Sequence, residues 1–293
     1  MKEGESDTVD SCDHECAAAS PGAREAAADA TPSLAQQMSR IQRVVGVMSG
    51  KGGVGKSLVT ALLAGAARQA GYAVGVMDAD VTGSSIPKMV GLTGRPDASE
   101  TGLSPVISAS GIRVISLNLL LEHPDDPVIW RGPLLAGAVK QFWEEVVWGE
   151  LDWLFVDLPP GTSDVPLTVM QSLPLDGVII VSSPQELAAM IVRKAIKMAA
   201  HLRVRVLGLV ENMTHLDCPH CGKRVDLFGP PGGPNAARAA GIPVLTSLRV
   251  DPELSVLSDR GEIEAYARNP FAGHIAALES ILHGAPAGQR GKP

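Results

Sequence analysis

A glycine-rich loop near the start of the chain constrains the fold more than any other feature. Residues 44–57 are VVGVMSGKGGVGKS, in which four of the first five residues are apolar and the pattern G-x-x-x-x-G-K-[ST] begins at Gly50. The apolar run predicts a short buried strand, and the residues Lys56–Gln69 predict a helix. Such a loop turns backbone N–H groups toward an anion, and the helix adds the positive end of its dipole. The stretch predicts a phosphate-binding loop, with a structural glycine-rich turn as the alternative.

Two side chains of this loop have chemistry suited to a nucleotide and its metal. Lys56 reaches the outer phosphates as a point charge, and the hydroxyl of Ser57 is placed to bind magnesium. A second cation, Lys51, lies in the same loop and can be interpreted as a solvated surface charge or as a second phosphate ligand. The repulsion between Lys51 and Lys56 favours the second interpretation, because an anion near Lys51 would offset it. The residues predicted to bind nucleotide here are Gly50, Lys51, Gly52, Gly53, Val54, Gly55, Lys56, Ser57 and Leu58.

Strand-like and helix-like segments alternate along the rest of the chain. Further strands are predicted at residues 72–77, 112–117, 153–156, 177–181 and 204–210, and further helices at residues 134–147 and 185–202. This alternation predicts an α/β fold, a mostly parallel twisted sheet with helices on both faces. The glycine-rich pattern at Gly50–Ser57 adds the P-loop that such a sheet can carry. Three regions are predicted: an acidic, mostly disordered tail with one cysteine pair at residues 1–40, a P-loop domain with a second cysteine pair at residues 41–283, and a disordered tail at residues 284–293.

Acidic residues follow two of the predicted strands. Asp78 and Asp80 end the strand at residues 72–77, and Asp157 ends the strand at residues 153–156. Ligands of open α/β sheets bind at the carboxyl ends of the strands, so these carboxylates are predicted to face the phosphates. Asp157 is predicted to hold magnesium, and the amide of Gly161 to sense the terminal phosphate. The alternative is that these carboxylates cap helices or lie in the core.

The composition of the chain indicates how large a core it can form and which kinds of partner it can bind. The chain has 293 residues, 45% of them hydrophobic and 3% aromatic, which is enough for a sizeable core. Residues 1–38 contain two basic and eight acidic residues, net −6 of the −7 for the whole chain, so the remainder is near neutral. We expect no nucleic-acid partner on this ground. No apolar run approaches a membrane span and no signal-peptide core begins the chain, so we expect a cytoplasmic protein without a membrane partner.

The four cysteines form two close pairs. Cys218 and Cys221 lie in DCPHCG, and Cys12 and Cys16 flank His14 in CDHEC. Close pairs in a reducing compartment favour metal or redox chemistry over structural disulfides. Two thiolates leave a four-coordinate zinc or iron-sulfur site half complete, and a twofold dimer would supply the other two. A redox-active dithiol, a shared structural zinc site and inert thiols remain alternatives, as does an N-terminal arm whose cysteines bind nothing.

Several strings of the chain resemble one family. The loop GKGGVGKS, with its extra lysine, resembles the deviant Walker A loop of the family that includes nitrogenase iron protein, the MinD and ParA partition ATPases and the Mrp-type iron-sulfur carriers. Further strings of the chain resemble the Mrp-type carriers and follow one another in the order of that family. They are DADVTGSSIP, VIWRGP, DLPPGTSD, ENMTHLDCPHCG, LFGPPGG and AARAAGIPVL. Ser84 stands where that family usually has proline, and Ser163 where it has glycine. The likeness covers residues 41–282.

The resemblance implies roles for individual residues. Lys51 would cross a dimer interface to the partner's nucleotide, and Asp80 would position the attacking water. Asn212 would lie against the adenine ring, with Asp251 as a second residue of the base pocket, although Asn212 is also compatible with a simple turn. Arg131 lies in the string VIWRGP, where it is either a solvated charge or a group whose role the resemblance leaves open.

These features predict an ATP-dependent iron-sulfur cluster carrier. In this hypothesis a homodimer binds ATP and magnesium across its interface, and Cys218 and Cys221 of both copies hold a labile bridging 4Fe-4S cluster. Slow hydrolysis, with Lys51 and Lys56 stabilising the phosphates, would accompany transfer to apo iron-sulfur proteins and exchange with the cluster assembly machinery. The alternatives are an electron donor like nitrogenase reductase, which would keep its cluster, and a positioning ATPase of the ParA or MinD type.

Overall fold

The structure is a computed structural model that describes residues 32–80, 83–121, 123, 132–162, 164–229 and 232–283. The strands in these ranges are, in chain order, β1 (Arg40–Ile41), β2 (Val44–Ser49), β3 (Val74–Asp78), β4 (Asp97–Ser99), β5 (Gly102–Ser104), β6 (Val106–Ile107), β7 (Arg113–Ser116), β8 (Glu150–Leu151), β9 (Trp153–Asp157), β10 (Gly177–Ser182), β11 (Val206–Glu211), β12 (Leu216–Asp217), β13 (Arg224–Val225) and β14 (Val244–Ser247). The α-helices are α1 (Leu34–Gln37), α2 (Lys56–Gln69), α3 (Ile86–Met89), α4 (Gly132–Glu145), α5 (Asp164–Ser172), α6 (Glu186–His201), α7 (Gly233–Ala239), α8 (Pro252–Arg260) and α9 (Ile275–His283).

The strand that precedes the glycine-rich loop lies in the middle of an eight-stranded sheet. The strand order is β14-β11-β10-β2-β9-β3-β7-β6, and every neighbouring pair is parallel except β6 with β7. All six residues of β2 are buried. A strand covered on both faces needs a continuous apolar run, which is what residues 44–48 supply. The predicted mostly parallel sheet is confirmed.

Helices cover both faces of this sheet. One hydrophobic cluster packs β-strand side chains against α2, α3, α8 and α9, and contains Leu62, Leu63 and Phe271. The opposite cluster packs the other face against α4, α5, α6 and α7, and contains Phe142 and Trp148. The small alanines of α2 let that helix lie close to the sheet, since most of its residues from Val59 onward are buried. The prediction of helices on both faces is therefore also confirmed.

Element boundaries differ from the predicted ones by one or two residues. Strand β3 begins at Val74 rather than at Tyr72, because the N–H of Tyr72 donates to the carbonyl of Ala67 and so closes the end of α2. The hairpin of β4 and β5 and the short strand β6 were not predicted, since their residues are partly exposed and carry no apolar period. None of the helices in the described ranges is long and apolar enough to cross a membrane.

The carboxyl ends of the central strands bring the polar residues together. Strands β3 and β9 are paired so that Asp78 lies directly opposite Asp157, and β2 is paired so that Val47 lies opposite Asp157. The glycine-rich loop leaves β2 at the same edge. This edge is where a parallel α/β sheet binds its ligands.

Candidate nucleotide site and cysteine hairpin

Several glycines of the loop between β2 and α2 lie where a side chain would be strained or would collide with a neighbour. Gly53 and Gly55 have φ of +76° and +83°, in the left-handed region. A Cβ on Gly55 would lie 2.2 Å from Nδ2 of Asn212, and one on Gly50 would lie 1.8 Å from Cγ2 of Ile191. A Cβ on Gly52 or on Gly53 would meet nothing within 4 Å, so the outer side of the loop is open. Its backbone is thus accessible to an anion.

Lys56 lies at the base of this loop between two carboxylates. Its Nζ is 2.9 Å from Oδ1 of Asp157 and 3.1 Å from Oδ2 of Asp80, and only 5% of the side chain is exposed. Burial alone lowers the pKa of Lys56, but the charges of Asp157 and Asp80 outweigh it and hold the pKa above its usual value. A permanently charged ammonium is therefore fixed next to the phosphate-binding loop.

Two hydroxyl groups share the carboxylate of Asp157 with Lys56. Ser57 Oγ donates to Oδ2 of Asp157 at 2.5 Å, and Thr60 Oγ1 donates to Oδ1 at 2.9 Å. A serine hydroxyl beside a carboxylate is the oxygen donor set that Mg²⁺ prefers at a phosphate site. Ser57 and Asp157 therefore fit a magnesium ion. Sequence reasoning missed Thr60, although its i, i+3 spacing from Ser57 on α2 places both side chains on one face.

Asp78 forms a second buried carboxylate beside this group. Its Oδ2 accepts from Ser84 Oγ at 2.5 Å and from Ser116 Oγ at 3.2 Å, and the side chain is fully buried. Burial, reinforced by the neighbouring charge of Asp157, raises the pKa of Asp78 to about 7. The serine that replaces the family's proline therefore contacts the buried carboxylate, a relationship the sequence analysis did not anticipate.

Lys51 has a partner from a different element. Its Nζ donates to Oε1 of Gln185, the residue that precedes α6. Gln185 was not among the predicted site residues. Its position three residues after β10, at the same edge of the sheet, could have indicated that it lies near the loop. Lys51 is partly exposed, so its side chain can reach beyond the loop.

Two residues that were predicted to contact the nucleotide form hydrogen bonds within the chain. The N–H of Gly161, with φ of +100°, donates to the carbonyl of Ser49 at 2.8 Å. The amide of Asn212 donates to the carbonyl of Val54 in the loop at 3.0 Å, and its Oδ1 accepts from the N–H of Met213 at 2.9 Å. Sensing of a terminal phosphate by Gly161 thus requires release of Ser49, and Asn212 holds the loop itself. Neither predicted nucleotide contact is tested by this geometry.

Asp251 caps helix α8. Its Oδ1 accepts from the N–H of Glu253 at 3.1 Å, and its Oδ2 accepts from Tyr266 and from Arg249 at 2.9 and 3.1 Å. The carboxylate is therefore held by protein groups on both oxygens. Its predicted place in a base pocket stays a prediction.

The second cysteine pair lies at the tip of a hairpin. Strands β12 and β13 pair antiparallel, Cys218 N–H donates to the carbonyl of Lys223 at 2.9 Å, and Gly222 N–H donates to the carbonyl of Cys218 at 2.8 Å. The sequence analysis did not predict this hairpin, because each strand is only two residues long. Cys218 is half-buried and Cys221 is exposed, and both are free thiols.

The hairpin favours the thiolate form of Cys218. The backbone N–H groups of His220 and Cys221, followed by the thiol of Cys221, hold the pKa of Cys218 below its usual value. Within the residues that the structure describes, no group of three or more His, Cys, Asp or Glu side chains could hold a metal ion. One described chain therefore presents a pair of ligands and not a closed site. Arg131, Cys12, His14 and Cys16 lie outside the described residues.

Comparison with known proteins shows the family to which the chain belongs. The family model described as ParA: NUBPL iron-transfer P-loop NTPase matches residues 40–283. An iron-sulfur cluster carrier protein from Methanocaldococcus jannaschii is 44% identical over 243 residues, which cover 82% of this chain and 84% of the relative. The cytosolic Fe-S cluster assembly factor NUBP2 from Bos taurus is 41% identical over 261 residues, 86% of this chain and 96% of the relative.

A solved structure shares the fold. A nucleotide-binding protein from Archaeoglobus fulgidus, in complex with ADP, superposes with a TM-score of 0.72 at 46% sequence identity, covering 80% of this chain and 92% of the other. The resemblance inferred from the loop and the cysteine string is thereby confirmed. Because the family model spans most of the chain and these relatives exceed 40% identity, the chain belongs to the ParA-class, NUBPL-type iron-transfer P-loop NTPases.

Proposed function

We propose that this protein is an ATP-dependent iron-sulfur cluster carrier that works as a homodimer. The observation that carries the proposal is the presence, in one chain, of a phosphate loop with a buried lysine and of a two-thiol hairpin tip. The names of the carrier and assembly-factor relatives support the cluster as cargo, and the ADP complex of the Archaeoglobus relative supports a nucleotide in the loop. The cytosolic assignment in the name of the Bos taurus relative supports a cytoplasmic location.

In the nucleotide half of this function, the chain's own residues bind and orient ATP. The backbone of the loop and Lys56 hold the phosphates, with Ser57 and Asp157 as the residues that would hold magnesium. Magnesium supplies charge neutralisation at the phosphate oxygens when bound. Asp80, close to Lys56, orients the water that attacks the terminal phosphate. Lys51 of the partner copy adds a second cation on the same phosphates.

In the cluster half, two copies complete the ligand set. A 4Fe-4S cluster is held by four thiolates, and each hairpin supplies Cys218 and Cys221. Two hairpins related by a twofold axis would supply all four, with the cluster at the dimer interface. Because Cys221 is exposed and Cys218 only half-buried, such a cluster would be labile, which suits transfer to apo iron-sulfur proteins. ATP hydrolysis would change the interface that holds it.

Anaerobic reconstitution tests the cargo. The wild-type protein and the variants Cys218→Ser and Cys221→Ser are reconstituted with iron and sulfide, and iron, sulfide and visible absorption are measured per dimer. We expect a broad visible band in the wild type and its loss in both cysteine variants. The matched control is Lys223→Gln, on the same exposed hairpin tip, which should retain the band. Equal iron in the wild type and the cysteine variants would exclude the proposed cluster site.

A transfer assay separates a carrier from an electron donor. The reconstituted protein is incubated with an apo iron-sulfur protein, with and without ATP, and the two are separated before iron is measured. A carrier surrenders its cluster to the acceptor, whereas an electron donor keeps its cluster through turnover. Retention of all iron on this protein under both conditions would favour the electron-donor alternative.

A further inference from the structure

The arm that leads into the cysteine hairpin is attached along its length to a second segment of the chain. This arm runs from the end of β11 to Cys218, beside the residues that follow β14. Leu248 N–H donates to the carbonyl of Glu211 at 2.8 Å, and Thr214 N–H donates to the carbonyl of Leu248 at 2.9 Å. Val250 N–H then donates to the carbonyl of His215 at 2.7 Å. The arm is thus held by backbone hydrogen bonds up to two residues before Asp217.

Arg249 continues this attachment with its side chain. Its Nη1 is 2.8 Å from Oδ2 of Asp217, the residue directly before Cys218, and its Nη2 is 3.1 Å from Oδ2 of Asp251. Asp251 is only 6% exposed, and Tyr266 donates to the same oxygen at 2.9 Å. One guanidinium fork therefore ties the base of the hairpin to a carboxylate that is itself fixed.

The other end of the arm is tied to the phosphate loop. Asn212 is 3% exposed and donates to the carbonyl of Val54 at 3.0 Å. The residue after it, Met213, has φ of +59°, and its N–H donates back to the side chain of Asn212 at 2.9 Å. A non-glycine residue held in the left-handed region indicates a connection that its surroundings constrain. A movement of Val54 therefore acts directly on the start of the arm.

We propose that Arg249 is a positioning residue that transmits nucleotide occupancy of the loop at Gly50–Gly55 to the cysteine hairpin. With the arm held by Asn212 at one end and by Arg249 at the other, a shift of the loop moves the arm and the hairpin base together. Without Arg249 the hairpin end of the arm can pivot alone, so the loop and the cysteines respond separately. This inference rests on the proposed function only in that it requires nucleotide binding at the loop.

Hydrogen–deuterium exchange of the full-length protein without a cluster tests this coupling. Exchange is measured by mass spectrometry with and without ADP, in one peptide covering the loop and in one covering residues 214–226. In the wild type, we expect ADP to slow exchange in both peptides. In Arg249→Gln we expect the loop peptide to respond as in the wild type, while the ADP-dependent change in the hairpin peptide falls by about fivefold or more.

Two further variants provide the controls. Asp217→Asn removes the other end of the same bridge and should lose the hairpin response in the same way, which covers the case in which Arg249→Gln fails to fold. Arg224→Gln removes an exposed hairpin arginine that pairs with Asp226 at 2.7 Å, and it should keep the full response. It matches Arg249→Gln in chemistry but lies on the other strand of the hairpin.

The outcomes separate this proposal from the proposed function. A wild-type hairpin that ignores ADP while the loop responds overturns the coupling and leaves nucleotide binding standing. An undiminished hairpin response in both Arg249→Gln and Asp217→Asn also overturns it. Loss of the loop response in Arg249→Gln would show that Arg249 acts on nucleotide binding instead of on positioning. A wild-type loop that does not respond to ADP would overturn the proposed function and this inference together.

Discussion

The ammonium group of Lys56 lies between Asp80 and Asp157, 3.1 Å from the first carboxylate and 2.9 Å from the second. The two carboxylates come from the carboxyl ends of neighbouring parallel strands, and the lysine comes from the first turn of the helix after β2. The two carboxylates at this distance balance the buried positive charge of Lys56 even when no ligand is bound. In the proposed function, Lys56 turns toward phosphate when a nucleotide binds, and Asp80 orients the attacking water.

Asp80→Asn should abolish most hydrolysis and keep nucleotide binding. We expect kcat to fall by about 100-fold, because an amide orients water less well than a carboxylate. ATP affinity should be retained, since Lys56 keeps Asp157 as a partner. Steady-state phosphate release and equilibrium ATP binding measure the two quantities. Asp97→Asn, an exposed carboxylate of β4, serves as control and should change neither. An Asp80→Asn protein with wild-type kcat would remove Asp80 from the mechanism.

The two lysines of the loop should differ in their effect on stability. Lys56→Met leaves Asp78, Asp80 and Asp157 without their buried cation, so we expect the free energy of unfolding of the ligand-free protein to fall by about 3 kcal/mol. Lys51→Met removes a partly exposed charge whose ammonium group donates to the amide oxygen of Gln185, and should cost less than about 1 kcal/mol. Urea unfolding of both variants measures the difference. Similar losses of unfolding free energy in the two variants would contradict the view that Lys56 is the buried, paired lysine of the loop.

The buried carboxyl group of Asp78 should make stability depend on pH. Its pKa is about 7 in the folded protein, against an ordinary value of 3.8, so between these values the folded state binds more protons than the unfolded state. Stability from this group is therefore present below pH 3.8 and lost as pH rises toward 7. Asp78→Asn removes this loss, so the melting temperature of the variant minus that of the wild type should increase with pH across that window.

Thermal unfolding at several pH values checks the effect of Asp78. Asp97→Asn is again the matched control, because its exposed carboxylate should leave the difference flat. If the Asp78→Asn difference is also flat, the group is already ionised in the folded protein at the lowest pH tested.

The loop glycines should not be equivalent. Gly55→Ala forces a left-handed φ on alanine and places a Cβ 2.2 Å from the amide of Asn212, so we expect a loss of about 2 kcal/mol in stability. In an Asn212→Ala background the clash is absent and only the cost of the φ angle remains, so the loss should be smaller. Gly52→Ala meets nothing within 4 Å, has no left-handed φ, and should change stability by less than about 0.5 kcal/mol. Chemical unfolding of the wild type, the three single variants and the double variant measures these costs. Equal costs for Gly55→Ala in both backgrounds would show that Asn212 does not crowd the loop.

Much of the fold could be predicted from residues that are close in sequence. The apolar run of β2, the loop pattern and the helix Lys56–Gln69 are contiguous, and their interactions are local, so their types and order follow from the chain itself. The strand-end positions of Asp80 and Asp157 were likewise predictable, because parallel strands place their carboxyl ends at one edge. The pattern CPHC predicted a pair of thiol ligands for the same reason: both members lie within four residues.

Side-chain partners that are distant in sequence could not be predicted in this way. Asn212 and Val54 are 158 residues apart and Ser116 and Asp78 are 38 apart, and no periodic pattern reports which side chain meets which. Asp251 was predicted from resemblance to lie in a base pocket, whereas its helix-capping role and its bond to Arg249 became visible only in the packed molecule.

The amino-acid sequence by itself determined the class of fold, the phosphate loop and the existence of a thiol pair, because each depends on local spacing and on the burial of apolar runs. Only the tertiary structure decided that Lys56 is held between two strand-end carboxylates, that Asp78 is buried with Ser84, and that Arg249 ties the cysteine hairpin to Asp251. Those contacts depend on strand register and on packing across the sheet edge, which bring together residues that the linear order keeps apart.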